Sequence, residues 1–119
     1  MGRVLINITH AKDDADRATV GFVLAGAAAA SGQEAVAFLS VEGVRLAVQG
    51  YCDDIHEEGF APLKELVASF VEAGGQIWVC SPCFRKRGLD EAKLVPGATM
   101  IGGAKVVEFL SQGAAALSY

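Results

Sequence analysis

Hydrophobic residues fall in short runs along the chain, and the runs alternate between the patterns of strands and of helices. Nearly continuous apolar β-forming runs predict strands over 3–9, 34–39, 98–101 and 115–119, and one that ends at Cys80. Acidic starts, prolines and glycine stops predict helices from the acidic residues at 13–16 to about Ala30, from Pro62 to Gly74, over 82–87 and over 105–110. The 41–48 segment is predicted as a short helical or irregular piece, and 51–60 as an exposed loop.

This alternation is typical of a three-layer α/β fold with a mainly parallel sheet of about five strands. We expect a single domain over residues 1–119. The first helix carries apolar residues nearly all round, including Val20, Phe22, Val23 and Leu24. Such a helix is buried on every side, which predicts the sheet on one side and a neighbouring subunit on the other.

Composition and charge exclude several classes of protein. A net charge of −4 with no basic stripe argues against nucleic acid as a partner. The longest apolar run, residues 20–30, is shorter than a membrane span, and no signal-peptide pattern follows Arg3. Three cysteines cannot all pair, so we expect the reducing cytoplasm. The hydrophobic fraction of 52% is high for so small a domain and favours an oligomer.

The densest chemistry lies at Val79-Cys80-Ser81-Pro82-Cys83, where a strand gives way to a helix. Ser81 is expected to cap that helix, which would lower the pKa of the Cys80 thiol with help from Arg85. Three interpretations of the cysteine pair stay open. Cys80 is a reactive thiol that carries sulfur or attacks a substrate, or Cys80 and Cys83 cycle between dithiol and disulfide, or one or both are inert core residues.

A metal site is a fourth interpretation, because Cys52 and His56 with Cys80 and Cys83 would make a Cys₃His zinc set. His10 follows the first strand directly and could face the same crevice as Cys80, either as a base or as an anion-binding group. Neither a P-loop nor a dinucleotide-binding glycine motif follows that strand, so no phosphate cofactor is expected.

The segment from Val79 to Leu89, which follows Gly74-Gly75, resembles the DsrE/DsrF-like family, which includes sulfur-relay subunits of the TusBCD type. The matching features are a strand-end cysteine and an Arg-Gly pair some seven residues later, Arg87-Gly88. The first strand, the alanine-rich first helix and the terminal Ala116-Leu117-Ser118-Tyr119 are also similar.

The resemblance implies a small flavodoxin-like domain that assembles into trimers or hexamers. It implies that Cys80 accepts sulfane sulfur from a donor protein and passes it, as a persulfide, to an acceptor protein. Cys83 matches a second cysteine found in only some members. The alternative is an oligomeric ligand-binding module whose pocket at a subunit boundary is lined by Tyr51, Trp78 and the acidic loop, with Cys52 beside it.

Overall fold

The computed structural model describes residues 2–119 as alternating strands and helices around one sheet. The strands and helices are β1 (Arg3–Ile8), α1 (Ala15–Ala30), β2 (Glu34–Leu39), α2 (Leu63–Glu72), β3 (Gln76–Cys80), α3 (Ser81–Lys86), β4 (Ala98–Ile101), α4 (Gly103–Ser111) and β5 (Ala115–Ser118). Short 3₁₀ helices span Lys12–Asp14, Val41–Ala47, Tyr51–Asp54 and Glu91–Lys93. Every strand predicted from the sequence is present, each within one or two residues of its expected ends.

The sheet has five strands in the order β4-β3-β2-β1-β5, and every neighbouring pair is parallel. The predicted α/β fold with a parallel sheet is therefore confirmed. The chain steps outward from β1 to β4 and then returns across the sheet to place β5 beside β1. Right-handed crossovers put the first three helices on one face and α4 alone on the other.

Each face of the sheet has its own apolar cluster, and the two clusters differ in size because three helices cover one face and α4 covers the other. The larger one lies beneath α1 and α2, where the rings of Phe22 and Phe70 meet edge to face at 5.9 Å. The smaller one lies beneath α4, where Phe109 packs edge to face on Trp78 at 5.3 Å, beside Leu5, Val36 and Ile101. Trp78 is thus a core residue of the α4 face.

The first helix is covered on one side within a single chain, and its predicted contact with a neighbouring subunit stays a prediction. The acidic start is present, and Asp14 caps the helix by accepting a hydrogen bond from the backbone N–H of Arg17 at 3.1 Å. One side of α1 is buried against the sheet and α2. The opposite side keeps a partly exposed apolar stripe that consists of Val20, Val23, Leu24 and Ala27. A single chain therefore does not bury α1 on every side.

The prediction that residues 51–60 form an exposed loop is partly wrong. Residues 51–54 form a 3₁₀ helix, and Cys52 and Ile55 are buried in the main core. The segment packs against α2, which its acidic composition did not indicate. Among residues 2–119 there is no helix both long enough and apolar enough to cross a membrane.

Candidate functional site

Cys80 is both the last residue of β3 and the N-cap of α3. The helix therefore starts one residue earlier than predicted: Ser81 is its first residue rather than its cap, and Pro82 is its second. Proline is tolerated there because the first-turn N–H groups have no partner within the helix. Gly88 ends this segment with a φ of +65°, the left-handed conformation expected of a C-terminal glycine.

The two cysteines of this segment are half-buried, free and one helical turn apart. Contrary to the prediction, the pKa of the Cys80 thiol is raised above its ordinary value. Burial is the main cause, and the neighbouring Cys83 thiol adds to it. The backbone amide of Cys83 and the charge of Arg87 act in the opposite direction and do not overcome these effects. No side-chain hydrogen bond caps this six-residue helix.

Arg87, rather than Arg85, is the cation of this site. Its side chain is only 16% exposed, and its guanidinium donates to the carbonyl oxygen of Cys83 at 3.1 Å and to Glu42 at 2.8 Å. Arg45 also donates to the Glu42 carboxylate. Hydrogen bonds from Arg87 and Arg45 hold the pKa of Glu42 below its usual value, with the Arg87 bond the larger cause.

The backbone that carries Glu42 is under local strain. Val41, which follows the end of β2 after Ser40, has a φ of +53°, which is unusual for a β-branched residue, and its side chain is 50% exposed. Gly43 lies so close to β1 that a Cβ atom there would sit 1.9 Å from the carbonyl oxygen of Ile8. Residues 41–47 in turn pack against β3 and α3, so this turn brings Glu42 to Arg87 beside the cysteines.

Of the other predicted members of the site, His10 lies two strands away from the cysteine pair, whereas Ser81 and Arg85 belong to α3 itself. His10 is at the end of β1, separated from β3 by β2 and so by roughly 10 Å of sheet, and its ring contacts the Thr9 hydroxyl at 3.0 Å. Arg85 is exposed and pairs with Glu91 at 3.4 Å. Ser81 directly follows Cys80, but it does not cap α3, so its predicted capping role is wrong.

Tyr51 and Cys52 belong to a different region of the molecule. The Tyr51 hydroxyl accepts a hydrogen bond from the backbone N–H of Lys12 at 3.0 Å. Cys52 is 8% exposed, its thiol donates to the carbonyl oxygen of Leu46 at 3.5 Å, and burial raises its pKa to about 12. His56 contacts the Phe60 carbonyl oxygen at 2.8 Å.

The predicted zinc set is not brought together. Within residues 2–119, no three His, Cys, Asp or Glu side chains converge in a way that could hold a metal ion. Cys52 lies in the core between the 3₁₀ helices and α2, whereas Cys80 and Cys83 lie at the junction of β3 and α3.

A cavity of about 570 Å³ opens beside Cys52. Its walls are mostly aliphatic, and Asp53, Lys64 and Glu72 are its charged lining residues; the apolar part consists of Leu46, Val48, Val67, Ala68, Val71, Val95 and Pro96. Tyr51 and Trp78 do not line this cavity. Trp78 instead borders a smaller polar pocket of about 170 Å³ beside α4. Within one chain, Tyr51 and Trp78 therefore do not share a pocket, and the pocket at a subunit boundary stays a prediction.

The sequence profile of the DsrE/DsrF-like family matches residues 2–119. The chain belongs to the DsrE/DsrF-like family. A relative, the uncharacterized protein MJ0760 of Methanocaldococcus jannaschii, is 30% identical over 108 residues, which are 91% of this chain. The match covers 39% of MJ0760, so this chain spans about two fifths of that relative's length.

Solved structures agree with the DsrE-like fold. The ychN protein of Escherichia coli superposes with a TM-score of 0.84 at 16% identity, with both chains fully covered. MTH1491, described as a protein of unknown function from Methanobacterium thermoautotrophicum, gives 0.72 at 16% identity with the same coverage. BT1422 of Bacteroides thetaiotaomicron gives 0.71 at 17% identity, covering 98% of this chain and 94% of its own.

Arg87 and Glu42 are site residues that are not predicted from the sequence. Arg87 stands in the Arg-Gly pair that carried the family resemblance, so a signal was present for it. Glu42 is 45 residues away in a different crossover, and only the tertiary structure brings the two together.

Proposed function

We propose that this DsrE-like protein carries sulfane sulfur as a persulfide on Cys80. Family membership supports a role in sulfur relay at the coarse level. The observation that carries the finer proposal is the position of Cys80, a half-buried free thiol at the carboxyl end of β3 with Arg87 beside it. Ligands of open α/β sheets bind at this end of the strands.

The transfer balances without any outside oxidant. The Cys80 thiolate attacks the outer sulfur of a donor persulfide, the S–S bond of the donor breaks, and the donor leaves as a thiolate. Cys80 then holds the extra sulfur until the thiolate of an acceptor protein attacks that same sulfur and releases Cys80. Because the pKa of Cys80 is raised, loading by the free chain accelerates as the pH rises.

Mass spectrometry after incubation with glutathione persulfide tests this proposal. At the earliest time points, the wild type should gain about 32 Da, one sulfur atom, on the peptide that contains Cys80. Cys80→Ser should gain none, whereas Cys52→Ser, which changes the buried thiol, should load like the wild type. An equal gain in Cys80→Ser would refute the assignment.

The carrier is proposed to act as a homotrimer or homohexamer in the reducing cytoplasm, together with its donor and acceptor proteins. The partly exposed apolar stripe on α1 (Val20, Val23, Leu24 and Ala27) supports assembly, because a helix face of this kind is normally covered. Free thiols at all three cysteines suit a reducing compartment. Sedimentation velocity at micromolar concentration should show three or six copies, and a stable monomer would contradict the assembly.

A second candidate function is the binding of a small, mainly apolar molecule in the cavity beside Cys52. Its volume of about 570 Å³ lies within the range of roughly 300–1,000 Å³ typical of ligand pockets. The aliphatic walls would hold the ligand body, and Lys64, Asp53 or Glu72 would contact a polar group on it.

Fluorescence of the neutral apolar dye Nile red tests this candidate. Ala68→Trp, which fills the cavity from α2, should abolish the dye signal, and the matched variant Ala73→Trp, beyond the cavity at the end of α2, should keep it. Equal dye signals in the two variants would rule out the cavity as the site. Cys80→Ala should bind the dye like the wild type if this function is independent of the thiols.

A further inference from the structure

Cys83 lies one helical turn after Cys80 and has no role in the carrier function. Cys80 is the N-cap of α3 and Cys83 is its third residue, and both are half-buried. On a helix, residues three apart have Cβ atoms about 5–6 Å apart, and a disulfide needs about 3.5–4.5 Å, so a bridge requires a shift of about 1–2 Å. The ring of Pro82 fixes its own φ, so the shift falls on Cys80, whose N-cap backbone is extended rather than helical.

The two thiols also influence each other. Burial raises the pKa of Cys80, and the neighbouring Cys83 thiol raises it further. Arg87 donates to the Cys83 carbonyl oxygen at 3.1 Å and thereby ties the end of α3 to this turn. The third cysteine, Cys52, is buried beside α2 and belongs to neither element of this pair.

We propose that Cys83 is a resolving thiol that converts a persulfide on Cys80 into an intramolecular disulfide and free sulfide. The step rests on the proposed carrier function of Cys80. It gives the chain a second activity, the reduction of sulfane sulfur when no acceptor protein is present.

The chemistry balances within the loaded chain. The Cys83 thiolate attacks the inner sulfur of the Cys80 persulfide, the bond between the two persulfide sulfurs breaks, and the outer sulfur leaves as HS⁻. The outer sulfur is reduced to sulfide, and the two cysteine sulfurs are oxidised to a disulfide. The proton of Cys83 passes to solvent, and a dithiol reductant returns the protein to its starting state.

The test compares the wild type with Cys83→Ser after a single exposure to glutathione persulfide and removal of the excess. In the wild type, sulfide should appear at about one equivalent per loaded chain, while the protein becomes about 2 Da lighter than the dithiol form. In Cys83→Ser the adduct of about 32 Da should persist at least ~10-fold longer, without sulfide release. Cys83→Ala should behave like Cys83→Ser, which separates loss of the thiol from an effect of the new hydroxyl.

The outcomes separate the two proposals. Equal adduct lifetimes in the wild type and both Cys83 variants, with no disulfide in the wild type, would overturn the resolving role and leave the carrier intact. Absence of any adduct in Cys83→Ser, together with absence of sulfide and disulfide in the wild type, would overturn the carrier function itself. Cys52→Ser should match the wild type in both readouts.

Discussion

The surroundings of Cys80 and Cys52 show how one residue type is made accessible at one place and inert at another. Cys52 is 8% exposed, beneath the 3₁₀ helices and α2, and the pKa of its thiol is about 12. Cys80 is half-buried at a strand end, where Arg87 partly offsets the cost of burying a thiolate. Both pKa values are raised, so the two sites differ in access and in the charge beside them, not in the direction of the shift.

The largest expected difference between the two sites is the rate of alkylation. At pH 8, iodoacetamide should modify Cys80 at least ~100-fold faster than Cys52 in the native protein. A thiol with a pKa of about 12 is ionised there in only about one molecule in 10⁴, and the core also shields the sulfur. Peptide mass spectrometry of quenched time points measures both rates. The alkylation rates of Cys80 and Cys52 should become equal in denaturant. Similar rates in the native protein would contradict the difference in accessibility between the two thiols.

Alkaline unfolding tests the buried thiol of Cys52. Because folding raises the pKa of Cys52 from 9.0 to about 12, its contribution to stability is complete below pH 9 and is lost as the pH rises toward 12. Cys52→Ser, which keeps a donor for the Leu46 carbonyl, should lose less stability over this range. The difference in unfolding free energy between Cys52→Ser and the wild type should change by up to about 1.4 kcal/mol per pH unit. Urea titrations from pH 8 to 10.5 check this, and parallel pH profiles would contradict it.

Arg87 should increase the reactivity of Cys80, the more accessible of these two thiols. Arg87→Gln removes a charge that lowers the pKa of Cys80, so alkylation at pH 7.5 should slow by about 3- to 10-fold. Arg85→Gln is the matched control, because Arg85 is exposed and pairs with Glu91, and it should leave the rate unchanged. Arg87→Lys keeps a positive charge and should restore most of the rate. If Arg87→Gln and Arg85→Gln slowed alkylation equally, the effect would come from the net charge of the protein and not from the position of Arg87.

Glu42 should have the smallest effect, in the opposite direction. Glu42→Gln frees the Arg87 charge from its partner, so alkylation of Cys80 should accelerate by about twofold. The folded pKa of Glu42 is lowered, so its contribution to stability is present above its ordinary value of 4.5 and is lost as the pH falls through the folded value. Urea titrations below pH 4.5 should therefore show a shallower acid-side loss of stability in Glu42→Gln.

The strands and the cysteine pair were predictable from local sequence. Continuous β-forming runs mark buried parallel strands, and Gly88 at the end of α3 marks a chain reversal, because each signal depends only on neighbours in the chain. The pKa of Cys80 was predicted in the wrong direction, because the helix N-terminus was visible in the sequence and the burial was not. The buried position of Cys52 was missed for the same reason, since its acidic neighbours indicated a solvated loop.

The sequence by itself determined the alternation of strands and helices, the family, and the placing of two thiols at the end of one strand. Only the tertiary structure decided which charges face those thiols. The order β4-β3-β2-β1-β5 places β2 between His10 and Cys80, whereas the strained turn at Val41 brings Glu42 to Arg87. Secondary structure follows from short-range preferences, but the electrostatics of a site depend on elements distant in sequence that meet only when the sheet assembles.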